Sequence, residues 1–142
     1  MKPSYKFLEH TADVLFQAEA PTLAELFTQC ALAVEETQVD ITKVEATQTI
    51  EITAENKNIE NLLFDFLSDL LFYKDAEQLI FSKFEVTIEK NNEIYSLSCK
   101  ASDEKLDNEK HEPKIDAKAI TMHMFEVKRI EGGWKAQVLV DV

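Results

Sequence analysis

Glycine is almost missing from this chain of 142 residues: there are two, Gly132 and Gly133, side by side. The glycine-rich loops that cradle phosphates need glycines spaced through a strand–turn–helix unit, so nucleotide binding through a P-loop or a dinucleotide fingerprint is excluded. Cysteine is scarce as well. Cys30 and Cys99 each stand where the surrounding pattern wants a small apolar residue, and both read as reduced core thiols. The three histidines, His10, His111 and His123, are not at ligand spacing, so no zinc site is expected. No segment approaches the roughly 20 apolar residues that span a bilayer, and Met1-Lys2-Pro3-Ser4-Tyr5 lacks the apolar stretch of a signal peptide. The expected location is cytoplasmic. No nucleophile-elbow spacing appears either.

Positive charge is also in deficit. Fifteen basic residues stand against 27 acidic ones, a net charge of −12 with histidine neutral. Affinity for nucleic acid comes mainly from Lys and Arg neutralising phosphates, so direct, strong RNA or DNA binding is disfavoured. A role in RNA metabolism would run through a protein partner or a bound cation. Taken alone, an acidic surface implies no more than solubility.

What is present is an ordinary globular balance, 45% apolar and 30% charged, over a length that suits one domain spanning residues 1–142. Thr22 and Glu25 form a possible capping box opening a helix to about Thr37, in which Leu23, Leu26, Phe27, Cys30, Ala31 and Val34 share one face. A second helix is expected from Ile59 to about Tyr73, with Phe64 and Phe72 off its main apolar face. Elsewhere the period is two. Val14 to Ala20 alternates, residues 79 to 101 read as a hairpin broken at Asn91-Asn92, and Ala117–Ile130 with Trp134–Val140 flank the glycine pair as another. Ser102 to Asp116, polar and proline-containing, reads as a surface loop. The order strand, helix, strand, helix, four strands implies an α+β fold, with two helices packed on an antiparallel or mixed β-sheet. A doubly wound sheet is permitted by that order, but the late hairpins weigh against it.

The residues that point to chemistry lie near the two ends of the sequence. Asp13 shares strand parity with Gln17 and Glu19, and Asp141 with Lys135 and Gln137, so each belongs to its strand's more polar face. On neighbouring strands, Asp13, Asp141 and the carboxylate of Val142 would gather negative charge. Such a cluster repels itself unless a proton or a cation intervenes, and carboxylate oxygens suit calcium, magnesium or manganese. The plainer alternative is a turn aspartate and a frayed terminus.

Leu8-Glu9-His10-Thr11-Ala12-Asp13-Val14 resembles the N-terminal signature of the archease family, and Thr22–Phe27 resembles the helix start that follows it there. Asn61–Leu71, Phe81–Val86, His111, Lys118-Ala119-Ile120-Thr121 with His123, and Asp141-Val142 agree in order, so the resemblance covers nearly the whole chain. It implies an α+β fold and a chaperone-like accessory role toward an RtcB-type RNA ligase. That role is to promote guanylylation and multiple turnover in RNA ligation and tRNA splicing, without enzymatic activity of the accessory protein's own. It further implies a divalent cation, calcium or else magnesium or manganese, held by Asp13, Asp141 and main-chain oxygen of Val142. Lys118 is implied as a contact for partner or phosphate, with a structural salt bridge as its alternative. His10 fits a turn or the core better than a hard-metal site. The chain departs from the family pattern at Leu15, Phe66 and Met122, where glycine, tryptophan and tyrosine are common, and in the loop Ser102–Asp107.

Two other function classes remain to be weighed against this one. A metal-dependent hydrolase or nuclease would use the same carboxylates, but it lacks an evident second metal cage and has the wrong charge for holding nucleic acid. A general protein-binding chaperone module would rest on Phe64 and Phe72.

Overall fold

Helix formation follows the capping and spacing seen in the sequence. In the computed structural model, which describes Met1–Val142, Thr22 caps helix α1 (Leu23–Gln38) by accepting from the Glu25 N–H, while its hydroxyl donates to the Glu25 carboxylate. Helix α2 (Ile59–Glu77) is capped by Asn58 and runs one turn beyond the expected end, closing on Gln78 in the left-handed conformation at φ 57°.

Seven strands surround these helices: β1 (Ser4–Leu8), β2 (Val14–Ala20), β3 (Gln48–Asn56), β4 (Leu79–Asn91), β5 (Ile94–Lys105), β6 (Ala119–Ile130) and β7 (Gly133–Asp141). They pair antiparallel throughout, but in two sheets and not one: β1-β2-β7-β6, and β3-β5-β4. The fold is α+β, and no parallel pair remains to support a doubly wound arrangement. The helices demand the second sheet. On α1, Leu26, Phe27, Cys30, Ala31, Ala33 and Val34 are all fully buried, an arc too wide for one layer to cover. Accordingly α1 packs on β2 and β7 of the first sheet and β4 of the second, while α2 bridges β3 of the second and β6 of the first. A continuous cluster of 27 buried residues fills the space between, with Phe27 stacked on Phe66 at 6.1 Å.

The turns show why their residues are needed. Asn92 and Glu93 both take positive φ, 51° and 70°, the two-residue geometry whose twist suits a hairpin. Of the glycine pair only Gly132 has positive φ, at 82°; Gly133 serves another end, because a Cβ there would lie 2.2 Å from the Ala20 carbonyl oxygen. Strand β6 loses register between Thr121 and Glu126, with Met124 at φ 60° giving its carbonyl to Gln137 Nε2.

The segment Ser102–Asp116 departs from the expected surface loop. Strand β5 continues to Lys105, a helical turn α3 (Asn108–His111) follows, and Asp103 and His111 are fully buried. His111 closes the segment on itself: Nδ1 accepts from the Asp107 N–H at 2.9 Å and Nε2 lies 2.7 Å from Glu104. Charge density along a sequence reports average solvation, and these two side chains are exceptions to it.

Candidate functional site

The register between β2 and β7 decides where the ends of the chain lie. Phe16 pairs with Val138, Leu15 with Leu139 and Val14 with Val140. One residue further come Asp141, still in β7, and Asp13, in the turn that leads into β2. Side chains two apart share a face, so the Asp141 carboxylate belongs to the same face as Leu139, which pairs with Leu15. Those leucines are themselves buried, at 5% and 3% exposure, as an apolar pair across the two strands. Directly opposed residues of antiparallel strands sit about 4.5–5.5 Å apart between Cα atoms. Asp13 is half-buried and Asp141 exposed at this rim.

Local backbone builds the rim. Ala12 holds φ 73°, a left-handed conformation that is uncommon for a residue with a Cβ, and it turns the chain from the end of β1 into β2. His10 belongs to this turn. Its Nδ1 lies 3.1 Å from the Thr11 carbonyl oxygen and its ring is exposed. Asp141 remains within β7 and is not frayed: it pairs with Ala119, and its carbonyl accepts from the Lys118 N–H at 2.7 Å. Continuing the same register sets Val142 beside Lys118.

Lys118 therefore meets Asp141 through its backbone. Its side chain has the parity of Ile120, opposite to that of Asp141, and lines a hollow with Phe64, Phe72, Asp75 and Ile120 on the α2 side of the sheet. Phe64 leans edge-on against Phe125 at 5.9 Å, whereas Phe72 is 61% exposed.

Chemically, the rim offers two carboxylates and main-chain oxygens of the last two residues, a donor set for a hard cation. Nowhere in the chain do three His, Cys, Asp or Glu side chains gather as metal ligands, so a cation at the rim would complete its shell with backbone oxygen and solvent. Ala12 is the contributor that sequence reasoning missed. An alanine gives no composition signal for positive φ.

Comparison with known proteins agrees with this architecture. A profile of the Archease protein family (MTH1598/TM1083) matches residues 5–142. The chain is 41% identical to Protein archease of Pyrococcus abyssi over 139 residues, covering 97% of this chain and 98% of that one. It is 38% identical to Protein archease of Methanosarcina mazei, covering 97% and 95%. The solution structure of Methanobacterium thermoautotrophicum protein 1598 superposes with a TM-score of 0.87 at 36% identity, covering 97% and 98%. A crystal structure from Thermotoga maritima, described as an archease and possible chaperone, shares the fold with a TM-score of 0.61 at 18% identity, covering 96% of each chain. No helix is long and apolar enough to cross a membrane. With a profile match over nearly its full length and relatives at about 40% identity, this chain belongs to the archease family.

Proposed function

We propose that this protein is a metal-dependent activator of an RtcB-type RNA ligase, working in the cytoplasm without catalysis of its own. The observation that supports the reading is the β2–β7 register, whose end pair Val14–Val140 brings together the segments that carry Asp13 and Asp141–Val142. A divalent cation there, calcium or else magnesium or manganese, would relieve the repulsion between the carboxylates and leave coordination positions for oxygens of the ligase or its guanylate. The action is electrostatic: the cation bridges acidic groups of two proteins, or an acidic group and a phosphate, and favours the ligase conformation that accepts the nucleotide. A net charge of −12 supports partner binding over RNA binding. Lys118 serves this arrangement through its amide on Asp141, and its side chain is left for the partner on the α2 side.

Multiple-turnover ligation by the cognate ligase, with GTP and metal, tests the proposal. Added protein should raise turnover, and Asp13→Ala or Asp141→Ala should abolish the gain while circular dichroism and melting stay close to those of the parent. Full activation by both variants would end this reading. RNA incubated with magnesium and the pure protein alone should stay intact; cleavage would favour the hydrolase instead.

A further inference from the structure

Asp141 and Val142 lie past the end of one ladder and on a fragment of another. The pairing of β7 with β2 stops at Val14–Val140, so β2 does not pair with the last two residues. On its other side β7 pairs with β6 at Ala119–Asp141, Ile120–Val140 and Thr121–Leu139, and the register is then lost as far as Glu126. A short piece of ladder cut off by an irregularity is weakly held at its ends. Beyond it the Asp141 carbonyl has one more tie, the Lys118 N–H at 2.7 Å, so the end of the chain depends on what fixes Lys118.

Lys118 ends a strap, residues 112–118, that runs from α3 to β6 without regular structure. Within it only Ala117 is buried. The far half is moored to the end of α1: the Lys114 N–H donates to the Gln38 carbonyl at 2.8 Å, and the Lys114 ammonium to the Glu36 carbonyl at 3.0 Å. The near half, Ile115 to Ala117, is hydrogen-bonded by one side chain, Lys74 in the last turn of α2. Its ammonium donates to the Ala117 carbonyl at 2.7 Å and to the Asp116 carboxylate, and it meets the Asp75 carboxylate at 3.2 Å. These acceptors take all the N–H donors an ammonium has, and the side chain is only 10% exposed. A lysine in the last turn ordinarily complements its own helix's dipole; this one crosses to another segment and binds main chain there.

We propose that Lys74 is a positioning residue for the rim. By clamping Asp116 and Ala117 it brings the Lys118 N–H to the Asp141 carbonyl, and through that bond it sets where the last two residues stand. Lys74 acts through the strap and has no hydrogen bond to Asp13 or Asp141 of its own. The same ammonium holds Asp75, which lines the hollow with Lys118, Phe64 and Phe72, so one side chain fixes the strap and the wall beside it. The effect of the clamp on a cation rests on the rim site proposed above, whereas the clamp itself does not.

Residue-resolved amide hydrogen exchange, together with a calcium titration of chelator-treated protein, separates the two. Lys74→Met should speed exchange of the Lys118 amide by about tenfold or more, the weight of one hydrogen bond to a charged group, while Ala136 and Val138 in the middle of β7 stay within about twofold. Calcium should then shift the Asp141 and Val142 amides with a midpoint about fivefold higher than in the parent. Lys74→Arg, which keeps the charge and the donors, should restore most of both. Asp116→Asn, a change at an exposed position, weakens one arm of the clamp and should speed Lys118 exchange about two- to threefold, even where Lys74→Met does not fold. A Lys118 amide unchanged in these variants, one that loosens in step with the whole of β7, or a calcium midpoint unmoved by its loosening would overturn the proposal and leave Lys74 a structural ion pair. If calcium moves no amide near Asp13 and Asp141 in the parent, the rim reading falls, and the exchange rates still decide the clamp.

Discussion

Glu35 offers a stringent test of how the core is held together. It lies on α1 with 0% exposure, and its Oε1 accepts the Phe81 N–H at 2.7 Å, where strand β4 loses register between Phe81 and Lys83. The side chain thus stands in for a strand partner. Burial raises its carboxyl from 4.5 to about 8, despite the Phe81 bond, the charge of Lys74 and the Gln38 amide, which all favour ionisation. In the unfolded chain the proton leaves near 4.5; in the folded protein it stays until about 8. Between those values the folded state binds more protons, so stability present in full below 4.5 is lost as pH rises toward 8. At about 1.4 kcal/mol for each tenfold change in proton affinity, the rise amounts to roughly 5 kcal/mol. Glu35→Gln keeps the acceptor for Phe81 and removes the titration. Urea unfolding of parent and variant from pH 5 to pH 9 should give a difference that grows in the variant's favour by about 1.4 kcal/mol per pH unit and levels off above 8. Parallel curves would refute the reasoning. A parent that gained on the variant with rising pH would mean an ionised Glu35 held by Lys74.

The glycine pair should separate two kinds of cost. Gly133→Ala sets a Cβ against the Ala20 backbone and should cost about 3 kcal/mol or more, whereas Gly132→Ala meets only left-handed strain of about 1 kcal/mol, both read by urea midpoints. Among the aromatics, Phe66→Ala should cost about 3–5 kcal/mol by opening a cavity between Phe27 and Phe84, and Phe72→Ala less than about 0.5 kcal/mol in the same assay, because its ring is mostly in water.

Periodicity made most of the elements legible before any coordinates. The Thr22 cap and the two helices follow from side chains that act within one or two turns, and the last two hairpins from turn residues acting within four. Strand β1 was not legible. Ser4–Leu8 is five residues long with an uneven burial pattern, and it exists because β2 offers an edge. The division into two sheets depends on how widely a helix is buried, which a stripe of spacing understates. At the candidate site, Asp13 and Asp141 were visible through parity and motif, whereas the β2–β7 register that ends beside them at Val14–Val140 was not. Asp103 was hidden for the opposite reason: among Ser102, Glu104 and Lys105 it looks solvated, and only its strand parity buries it.

The charge of the protein, set beside the proposed partner, leads to a last prediction. An enzyme that joins RNA ends must hold phosphates, and it does so with a basic surface. A protein of net charge −12 is drawn to such a surface and competes there with RNA. The attraction would speed encounter, and the cation proposed at the rim would supply the specific contact that a charge field cannot. Association should then be salt-sensitive in rate more than in dissociation: raising salt from about 50 to about 200 mM should slow it by about tenfold or more, since screening shortens the reach of the field to under about 10 Å. Excess RNA should shift the concentration needed for half-maximal activation upward, and Asp13→Ala should raise the dissociation rate with little change in that salt dependence. Stopped-flow association with the ligase measures all three. An association rate indifferent to salt would mean that the acidic surface plays no part in finding the partner, and its role would reduce to solubility.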